Sequence, residues 1–493
     1  MKKIGVFIIS LFYINTISAQ NEIDALRYSQ NNIIGTAKFS SMSGSYGSLG
    51  GDFSSLSLNP AGLGLYQNSE MTITPNLSNY QTTTYLNSNK SKDYSSFASF
   101  SNFGYITSGN NNHENWKRIN FGVGWNQTAN FQNNFIIHSS NDQSSLANLF
   151  LNQANGNVIE NLNSFGAELA FWTDLIDLEN NSIDTINNWY LFDNGHYISH
   201  INSNSDKRQH QSINNNGNMG EFVFSIGSSF EEKIYLGATI GIPTIEFRQK
   251  STYIEDGFSD TTYSLESFSY NQDLIASGSG INIKLGGILR LLENTKIGIA
   301  IHSPNYISMQ EEYMTSMSTN WGNRDIITET SPLGYFNYEI TTPAKLIGSI
   351  STVFNKNASL LPTILINADI EQIDYSSTRM YSDYYQFTDE NNIIENLYTT
   401  ATNIRFGGEA VLNPLKIRGG YSLYGSPFKD NPEYEIRNYS AGIGINLEKI
   451  FIDIAYSWIL RKTEHSMYDP NNEKPAKINT LNTNLQCTLG FRF

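Results

Sequence analysis

Apolar and polar side chains alternate with a period of two through many short segments of this chain. From Leu481 to Phe493 the odd-numbered positions are mostly apolar and the even-numbered positions mostly polar or small, and the stretch from Ile450 to Leu460 shows the same alternation. A strict period of two predicts a β-strand with one apolar and one polar face. Both segments are therefore predicted to be strands.

Similar segments recur upstream. They are Met71 to Tyr80, Tyr94 to Ile106, Lys117 to Ala129, Met219 to Phe230, Lys233 to Arg248, Leu265 to Leu291, Thr295 to Met309, Tyr335 to Phe354, Pro362 to Tyr375, Ile404 to Leu412, Leu415 to Tyr424 and Ile436 to Leu447. With the two C-terminal segments they make about fourteen strands, each near or above the roughly 9 to 11 residues that a tilted membrane-spanning strand requires.

The connections between these segments alternate between long polar loops and very short turns. Residues 461–480 and 425–435 form long connections, whereas 448–449 and 413–414 are short. This asymmetry is typical of an outer-membrane barrel, with short periplasmic turns and long extracellular loops. The predicted fold is all-β: a 14-stranded antiparallel transmembrane β-barrel, residues 70–493, with both termini on the periplasmic side.

The longest predicted loop, 131–218, carries a helical pattern near 158–178. Its apolar residues, among them Phe165, Leu169 and Trp172, recur every three or four positions, which predicts an amphipathic helix on the extracellular rim. These three side chains are candidate ligand contacts. Packing of the helix against other loops is the alternative.

The N-terminus has the order of a secretory signal peptide, predicted over residues 1–19. Lys2 and Lys3 precede an apolar run from Ile4 to Ile14, and small residues follow at Ser18 and Ala19. No other window approaches the roughly 18 to 20 apolar residues of a membrane-spanning helix.

The segment after it, residues 20–69, is predicted to be a hatch, or plug, held inside the barrel lumen. Its stretch 44–66 is rich in Gly and Ser and almost uncharged, so it cannot build a core of its own. Its glycines allow several backbone shapes, as a moving plug needs; filling a crowded lumen is the alternative. The predicted hatch residues are Gly47, Gly50, Gly51, Asn59, Pro60, Ala61 and Gly62.

Composition and charge exclude several classes of function. Aromatic residues make up 13% of the chain and charged residues 16%, with a net charge of −15 and one cysteine, Cys487. Aromatic rings suit two lipid–water interfaces, and the absence of a basic surface argues against nucleic acid as a partner. With one cysteine there is no disulfide framework or multi-cysteine metal site; Cys487 is expected to face lipid.

No motif of a hydrolase, metalloprotease, phosphate loop or dinucleotide-binding enzyme occurs, so no catalytic residue is assigned and the chain is predicted not to be an enzyme. His196 and His200 are four residues apart, a spacing that binds metal on a helix, but they lie in a loop without a convincing acidic third ligand. No metal site or cofactor is predicted.

Two arginines on predicted inward faces are candidate ligand contacts. Arg405 and Arg418 lie in strands near several acidic residues, and charges inside a barrel are costly to leave single. Either arginine can meet a carboxylate of a ligand, although a structural ion-pair network is the more common use.

Together these features resemble the FadL family of outer-membrane channels for long-chain fatty acids and other hydrophobic compounds. The similarity is greatest to the Bacteroidetes branch, whose members are often labelled hemin receptors. The residues that carry the resemblance are 24–29, 47–52, Asn59-Pro60-Ala61-Gly62-Leu63-Gly64, Ile301-His302-Ser303-Pro304, Thr342-Pro343-Ala344, Arg418-Gly419-Gly420-Tyr421 and Asp453-Ile454-Ala455-Tyr456.

The resemblance implies a channel in the cell outer membrane that takes up small hydrophobic compounds. An apolar ligand would be captured at the extracellular loops, pass to a pocket above the hatch and leave sideways near the third strand. The expected partners are outer-membrane lipid, a small hydrophobic ligand and, if the barrel belongs to a larger complex, other outer-membrane proteins. A haem-binding receptor and a structural or accessory barrel subunit remain as alternatives.

Overall fold

The structure of the chain is a computed structural model. It describes residues 21–110, 115–141, 143–179, 183–184, 189–190, 195–202, 204–322, 324–355, 362–468 and 474–493. The predicted signal peptide, 1–19, lies outside the described residues, as does Gln20 at the start of the predicted hatch.

The chain forms a closed, 14-stranded antiparallel β-barrel, which confirms the predicted fold class. Each strand pairs with its neighbours in the sequence, and the last strand pairs with the first, for example Leu485 with Leu77. The strands are β1 (Glu70–Leu86), β2 (Asn89–Asn110), β3 (Trp116–Asn130 and Asn133–Asn141), β4 (Lys207–Phe230), β5 (Ile234–Asp256), β6 (Ser267–Arg290), β7 (Thr295–His302 and Tyr306–Asn320), β8 (Ile327–Thr330, Gly334–Thr341 and Lys345–Phe354), β9 (Thr363–Asp374 and Arg379–Tyr381), β10 (Thr400–Leu412), β11 (Leu415–Tyr424), β12 (Ile436–Leu447), β13 (Ile450–His465) and β14 (Ala476–Arg492).

The two ends of the barrel differ. The short-turn end carries 231–233, 291–294, 413–414 and 448–449, while the long-loop end carries most of the extended connections, above all 142–206. Both barrel termini lie at the short-turn end, where the Phe493 amide donates to the Ser69 carbonyl at 3.1 Å. This is the arrangement expected for an even number of strands.

Outward-facing positions near the short-turn end form an apolar belt. Along β7, for example, Ile297, Ile299 and Ile301 are all exposed while Ala300 between them is buried. The exposed side chain of Cys487 lies in the same belt, on β14. This surface has the composition of a lipid-facing wall. Within the described residues, every helix is too short or too polar to cross a bilayer.

The helices lie in the segment before the first strand and in two connections at the long-loop end. The α-helices are α1 (Glu22–Ser29), α2 (Ala37–Ser40), α3 (Leu146–Ala154), α4 (Ala167–Trp172) and α5 (Thr388–Leu397). Short 3-10 turns occur at Phe53–Ser57, Pro60–Leu65, Ile159–Asn161, Tyr375–Ser377 and Pro432–Tyr434. Small two-stranded sheets pair Ile176–Leu178 with Tyr197–Ser199, and Ile183–Asp184 with Trp189–Tyr190.

The single helix predicted near 158–178 was wrong. That stretch holds the 3-10 turn at Ile159–Asn161, the six-residue α4 and a short strand. The Asn163 side chain accepts a hydrogen bond from the Phe165 amide at 2.8 Å, a local contact that competes with helix formation. At the other end Asp174 has a φ of 60°, which terminates α4.

The predicted loop 131–218 was too long at both ends. Strand β3 continues through Asn133–Asn141, and β4 begins at Lys207, so the wall extends far beyond the apolar belt at the long-loop end. These extensions are rich in Asn, Gln and Ser. Because such residues are typical of loops, the composition of these extensions predicted loops. Backbone hydrogen bonds to the neighbouring strands nevertheless make them strands.

Replacement of Ile299 by Lys is expected to lower the stability of the folded barrel in lipid vesicles by about 2 to 4 kcal/mol, because a charge at mid-bilayer loses its hydration. Ile326→Lys is the matched control, since Ile326 is also exposed but lies at the long-loop end. The measurement is the folded fraction in urea, followed by heat-modifiable gel mobility. Equal losses for the two variants would contradict the assignment of the belt to lipid.

Candidate functional site in the barrel lumen

Residues 34–66, here called the plug segment, pack against inward-facing side chains of the wall. Phe53, Leu56 and Leu63 are buried together with Ile106 of β2 and Val223 of β4. On the opposite side, Phe39 and Met42 pack with Ile347 of β8. These contacts place the plug segment in the lumen, across its short-turn half.

Asn59 is a central polar contact of this segment. Its side-chain amide donates to the Gly47 carbonyl at 2.6 Å and approaches the Gly287 and Ile299 carbonyls of the wall at 3.4 Å. Its side-chain oxygen accepts from the Ala61 amide at 3.1 Å and so caps the 3-10 turn that begins at Pro60. One buried side chain thus joins two parts of the plug segment to β6 and β7.

Glycines in the wall make room for this turn. A Cβ atom on Gly237 would lie 2.3 Å from the Pro60 carbonyl carbon, and one on Gly286 would lie 1.9 Å from the Asn59 side-chain oxygen. Both distances are shorter than any real contact of a Cβ atom. The wall is therefore shaped to the plug segment at this point.

The glycines of the plug segment have different roles. A Cβ atom on Gly47 would meet the Ser349 side chain at 2.8 Å, and one on Gly62 would meet the Gly50 Cα at 3.0 Å. Gly50 and Gly51 have φ values of 62° and 67°, which favour glycine. Close packing therefore explains Gly47 and Gly62, while Gly51 has open space around it and needs glycine for its backbone conformation.

An ionic network connects the plug segment to the wall of β9 and β10. The Asp369 carboxylate accepts from the Tyr46 amide at 3.0 Å and from the Gly47 amide at 3.3 Å. The guanidinium of Arg405 lies 3.7 Å from Asp369 and 3.2 Å from Glu371. Backbone donors of the plug segment and one arginine thus share a single buried carboxylate.

A second ionic network lies further toward the short-turn end. Arg418 pairs with Glu409 at 2.6 Å and with Asp453 at 2.5 Å, and all three side chains are nearly inaccessible. Gly444 leaves space for the Arg418 guanidinium. Both carboxylates hold Arg418 in the wall, which is the structural role that the sequence left open.

A small polar cavity of about 50 Å³ lies on the long-loop side of the plug segment. Its floor is made by Phe39, Gly44, Ser57 and Leu58. The charged and polar wall residues that line it are Glu221, Asn282, Lys284, His302, Asn305, Lys345, Glu371 and Arg405. We call this space the polar cavity.

Within the polar cavity the cations differ in their partners. Lys284 forms an ion pair with Glu221, and the Asn282 side chain donates to the same carboxylate at 2.7 Å. Arg405 is held by two carboxylates. Lys345 interacts electrostatically with Glu371, yet among the described residues no carboxylate lies within 4.0 Å of its ammonium. Lys345 is therefore the cation with the weakest internal neutralisation.

An apolar layer lies directly beyond the polar cavity. On β4, buried Met219 precedes cavity-lining Glu221 by two positions; on β9, Ile373 follows Glu371 in the same way. The apolar layer comprises Met219, Ile245, Phe247, Leu274, Ala276, Ile307, Met309, Tyr338, Ile340, Ile373 and residues of the β9–β10 connection. Side-chain chemistry therefore changes abruptly along the lumen, from ionic to apolar.

Helix α1 occupies this apolar layer. Ala25, Leu26 and Tyr28 are buried in it, and the Arg27 guanidinium lies 4.1 Å from the centroid of the Phe247 ring. The Tyr398 hydroxyl donates to the Glu22 carbonyl at 2.9 Å, which ties α1 to the end of α5. The described N-terminus thus runs from the apolar layer, along the polar cavity, to the plug segment.

The wall contains a seam between β2 and β3. Their ladder runs from Asn110 paired with Arg118 to Asn102 paired with Asn126, and within the described residues it ends there. Further along, β3 packs against the inward-facing side of β1, where the Thr84 hydroxyl donates to the Ile136 carbonyl at 2.5 Å. At the seam, two neighbouring parts of the wall therefore lack mutual backbone hydrogen bonds.

The start of the plug segment covers this seam from the lumen. The Ile34 amide donates to the Gln127 carbonyl at 2.8 Å, and the Asn32 amide donates to the Thr128 carbonyl at 2.7 Å. The Ser101 hydroxyl on the β2 side donates to the Gly35 carbonyl at 2.9 Å. Residues 32–35 thus take the place of the missing neighbour of β3.

The five ligand contacts proposed from sequence do not form one site. Leu169 is buried among the loops, Phe165 packs against Tyr313 with ring centroids 5.5 Å apart, and Trp172 is 48% exposed. Of the two arginines, Arg405 lines the polar cavity, whereas Arg418 is absent from its lining. The structure therefore brings only Arg405 to the cavity.

Several cavity residues were not identified from the sequence. Lys284 and Lys345 stand at polar positions of predicted strands, and His302 belongs to a quoted motif without an assigned role. The sequence feature that could have identified these residues is a charged side chain at an inward position of a membrane strand. Such charges are rare and are usually functional or paired. His196 and His200 do not lie together on a helix; the His200 Nδ1 is 2.6 Å from the Asp174 carbonyl.

Comparisons with known proteins identify the fold. No family model and no curated protein matches the chain. Among solved structures, a Pseudomonas aeruginosa FadL homologue has a TM-score of 0.56 at 11% identity, covering 94% of this chain and 98% of its own. The Pseudomonas putida toluene transporter TodX has a TM-score of 0.53 at 12% identity, covering 93% of this chain and 98% of its own. The resemblance stated from sequence is thus confirmed as a likeness of fold.

Gly286→Ala is expected to loosen the plug segment, because the new methyl group displaces Asn59 and breaks its hydrogen bonds, at a cost of about 1 to 3 kcal/mol. Gly287→Ala is the control on the adjacent outward-facing position, where the nearest atom would be 3.8 Å away. Hydrogen exchange of peptides covering 44–66 is the measurement. Identical protection in the two variants would contradict this packing.

Proposed function

We propose that this protein is an outer-membrane channel for the uptake of small hydrophobic compounds, and that its preferred ligands are amphiphiles with an acidic head group, such as long-chain fatty acids. The observation that carries the proposal is the order of the lumen, with an apolar layer next to an ionic cavity. The likeness of fold to a FadL homologue and to a toluene transporter supports the uptake of hydrophobic compounds.

Capture is assigned to the long-loop end. Trp172 and Val158 are 48% and 40% exposed beside the buried cluster that α3 and α4 form with the ends of the strands. Exposed apolar side chains give a poorly soluble molecule a first contact. From there the ligand enters the apolar layer, where it must displace or slide along α1.

The polar cavity is assigned to the head group. A carboxylate in the cavity can approach the Lys345 ammonium, which has the weakest internal neutralisation, and Arg405, whose Nε makes no hydrogen bond in the described residues. A charge-assisted hydrogen bond in such surroundings is stronger than one between neutral groups. The aliphatic tail remains in the apolar layer, so both parts of the ligand keep suitable surroundings.

Ligand binding is proposed to act on the hatch through Arg405. This arginine shares Asp369 with the Tyr46 and Gly47 amides of the plug segment. A ligand carboxylate that attracts Arg405 changes the charge balance at Asp369 and thereby the stability of the plug segment. Such a coupling shifts the hatch equilibrium only by the difference in ligand affinity between its two states.

Exit is assigned to the seam between β2 and β3. Release there requires residues 32–35 to leave the backbone of β3, breaking the hydrogen bonds at Gln127 and Thr128. These residues connect α1 to the plug segment and include its first two residues, 34 and 35. A displacement of either neighbour is therefore transmitted directly to the seam.

The first test is uptake by the purified barrel in lipid vesicles. Uptake of a labelled long-chain fatty acid is expected with the full chain, and deletion of 21–66 is expected to remove its saturable component while it opens an unselective path. The assay includes a fatty acid and its methyl ester at equal chain length. A barrel that moves neither compound would overturn the proposal.

Lys345→Gln is expected to weaken binding of the free fatty acid about tenfold, while the methyl ester is bound as before, because only the carboxylate uses the ammonium. Lys416→Gln is the matched control, since Lys416 lies 3.9 Å from Glu409 and does not line the polar cavity. Displacement of a fluorescent fatty acid in detergent measures the affinity of each variant for the acid and for the ester. Equal loss for acid and ester would exclude a head-group role for Lys345.

A disulfide between Ile34→Cys and Gln127→Cys, in a Cys487→Ser background, is expected to block uptake until it is reduced. Antiparallel partners lie at about 4.5 to 5.5 Å between Cα atoms, within the range for disulfides. The control crosslink joins Tyr105→Cys and Val123→Cys, which are partners in the continuous ladder. Undiminished uptake by the fully oxidised Ile34–Gln127 variant would rule out exit at the seam.

A further inference from the structure

Two histidines form a cross-strand pair on the outer face of the barrel, far from the lumen. His138 of β3 and His210 of β4 are direct partners in the ladder. Their ring centroids are 4.7 Å apart at an interplanar angle of 76°, and the two Nδ1 atoms face each other within hydrogen-bonding distance. This pair belongs neither to the proposed ligand path nor to the apolar belt.

The position of the pair is exposed to water. On β4, the outward positions Asn214, Asn216 and Asn218 separate His210 from the exposed apolar residues Phe222 and Phe224 of the belt. His210 therefore lies on the extension of the wall at the long-loop end. Soluble ions have direct access to such a surface.

An acidic side chain lies close to the histidine pair. The other nitrogen of His210, Nε2, lies 3.9 Å from Asp256, whose carboxylate also pairs with Arg208 at 2.7 Å. At that distance the carboxylate makes no hydrogen bond to the ring; it places negative charge near the pair, part of which Arg208 neutralises.

We propose that His138 and His210 together bind a late first-row divalent cation, each through one imidazole nitrogen, once a small side-chain rotation has separated the two Nδ1 atoms. Imidazole suits Zn²⁺, Ni²⁺ and Cu²⁺, and Cu²⁺ is expected to bind most tightly. Among the described residues no group of three or more His, Cys, Asp or Glu side chains forms a metal site. Water therefore completes the coordination, which gives an open site.

Cation binding would stabilise the outer part of β3, which borders the seam in the wall. The β3 segment Asn133–Asn141 has a backbone ladder with β4 and, in the described residues, none with β2. A cation held between His138 and His210 adds a crosslink between this segment and β4. Because the segment borders the seam and leads into the loop 142–206, the site would stabilise the long-loop end.

The test uses the full-length barrel in detergent with Cu²⁺ or Zn²⁺ as the only added cation. Copper is expected to bind at one site per chain with an electron paramagnetic resonance spectrum of two nitrogen ligands. His138→Gln and His210→Gln are each expected to weaken binding at least tenfold, a loss seen at metal sites even when only a supporting group is removed. His196→Gln, an exposed loop histidine, is the matched control.

A second readout follows the fold rather than the metal. Zinc is expected to slow hydrogen exchange of a peptide covering 133–141 in the unchanged protein and in His196→Gln, but not in the double variant His138→Gln/His210→Gln. Heat-modifiable gel mobility checks that each variant is folded. Equal metal binding by the double variant, a one-nitrogen copper spectrum, or zinc-independent exchange in the unchanged protein would overturn the proposal.

Discussion

The arrangement of side chains in the lumen is set by one constraint: the buried backbone N–H and C=O groups of the plug segment need hydrogen-bond partners. That backbone forms little regular structure, and a buried backbone group without a partner is costly. The wall supplies the partners: the Asn120 amide donates to the Leu63 carbonyl at 2.8 Å, and the Lys296 ammonium to the Leu49 carbonyl at 2.9 Å. The Thr488 hydroxyl accepts from the Ala37 amide at 2.7 Å. Polar residues at inward positions of distant strands thus share one structural task.

The same constraint explains why glycine is frequent where wall and plug segment meet. A side-chain donor reaches a backbone carbonyl only if the two backbones approach closely, and Gly237 and Gly286 permit that approach at Pro60 and Asn59. Glycines and long polar residues therefore occur close together on the inner wall, as Gly286 and Lys284 do on β6. An ordinary apolar core, which tolerates exchanges of similar volume, has no equivalent requirement.

Much of the fold could be predicted from the sequence, because a period of two, repeated between short turns, is a strong signal. The strand boundaries at the long-loop end could not be predicted, since the extensions around Asn133 and Asn214 are rich in Asn, Gln and Ser, which are typical of loops. The candidate site was only partly predictable. Arg405 was identified, but Lys345 was not, because its role depends on which carboxylates lie near it, and strand order and register decide that distance.

The charge distribution in the polar cavity argues for an amphiphile over a hydrocarbon. A purely apolar molecule in this cavity would remove water from the ions and return no hydrogen bond, so it is expected to stop in the apolar layer. A carboxylate that enters replaces the lost water with its own acceptors. Asp369, which pairs with Arg405 but does not line the cavity, brings the acidic side chains to the same number as the basic ones. We therefore propose that the position of the least neutralised cation, and not net charge, decides where the head group binds. The acidic side chains are Glu221, Asp369 and Glu371, and the basic ones are Lys284, Lys345 and Arg405.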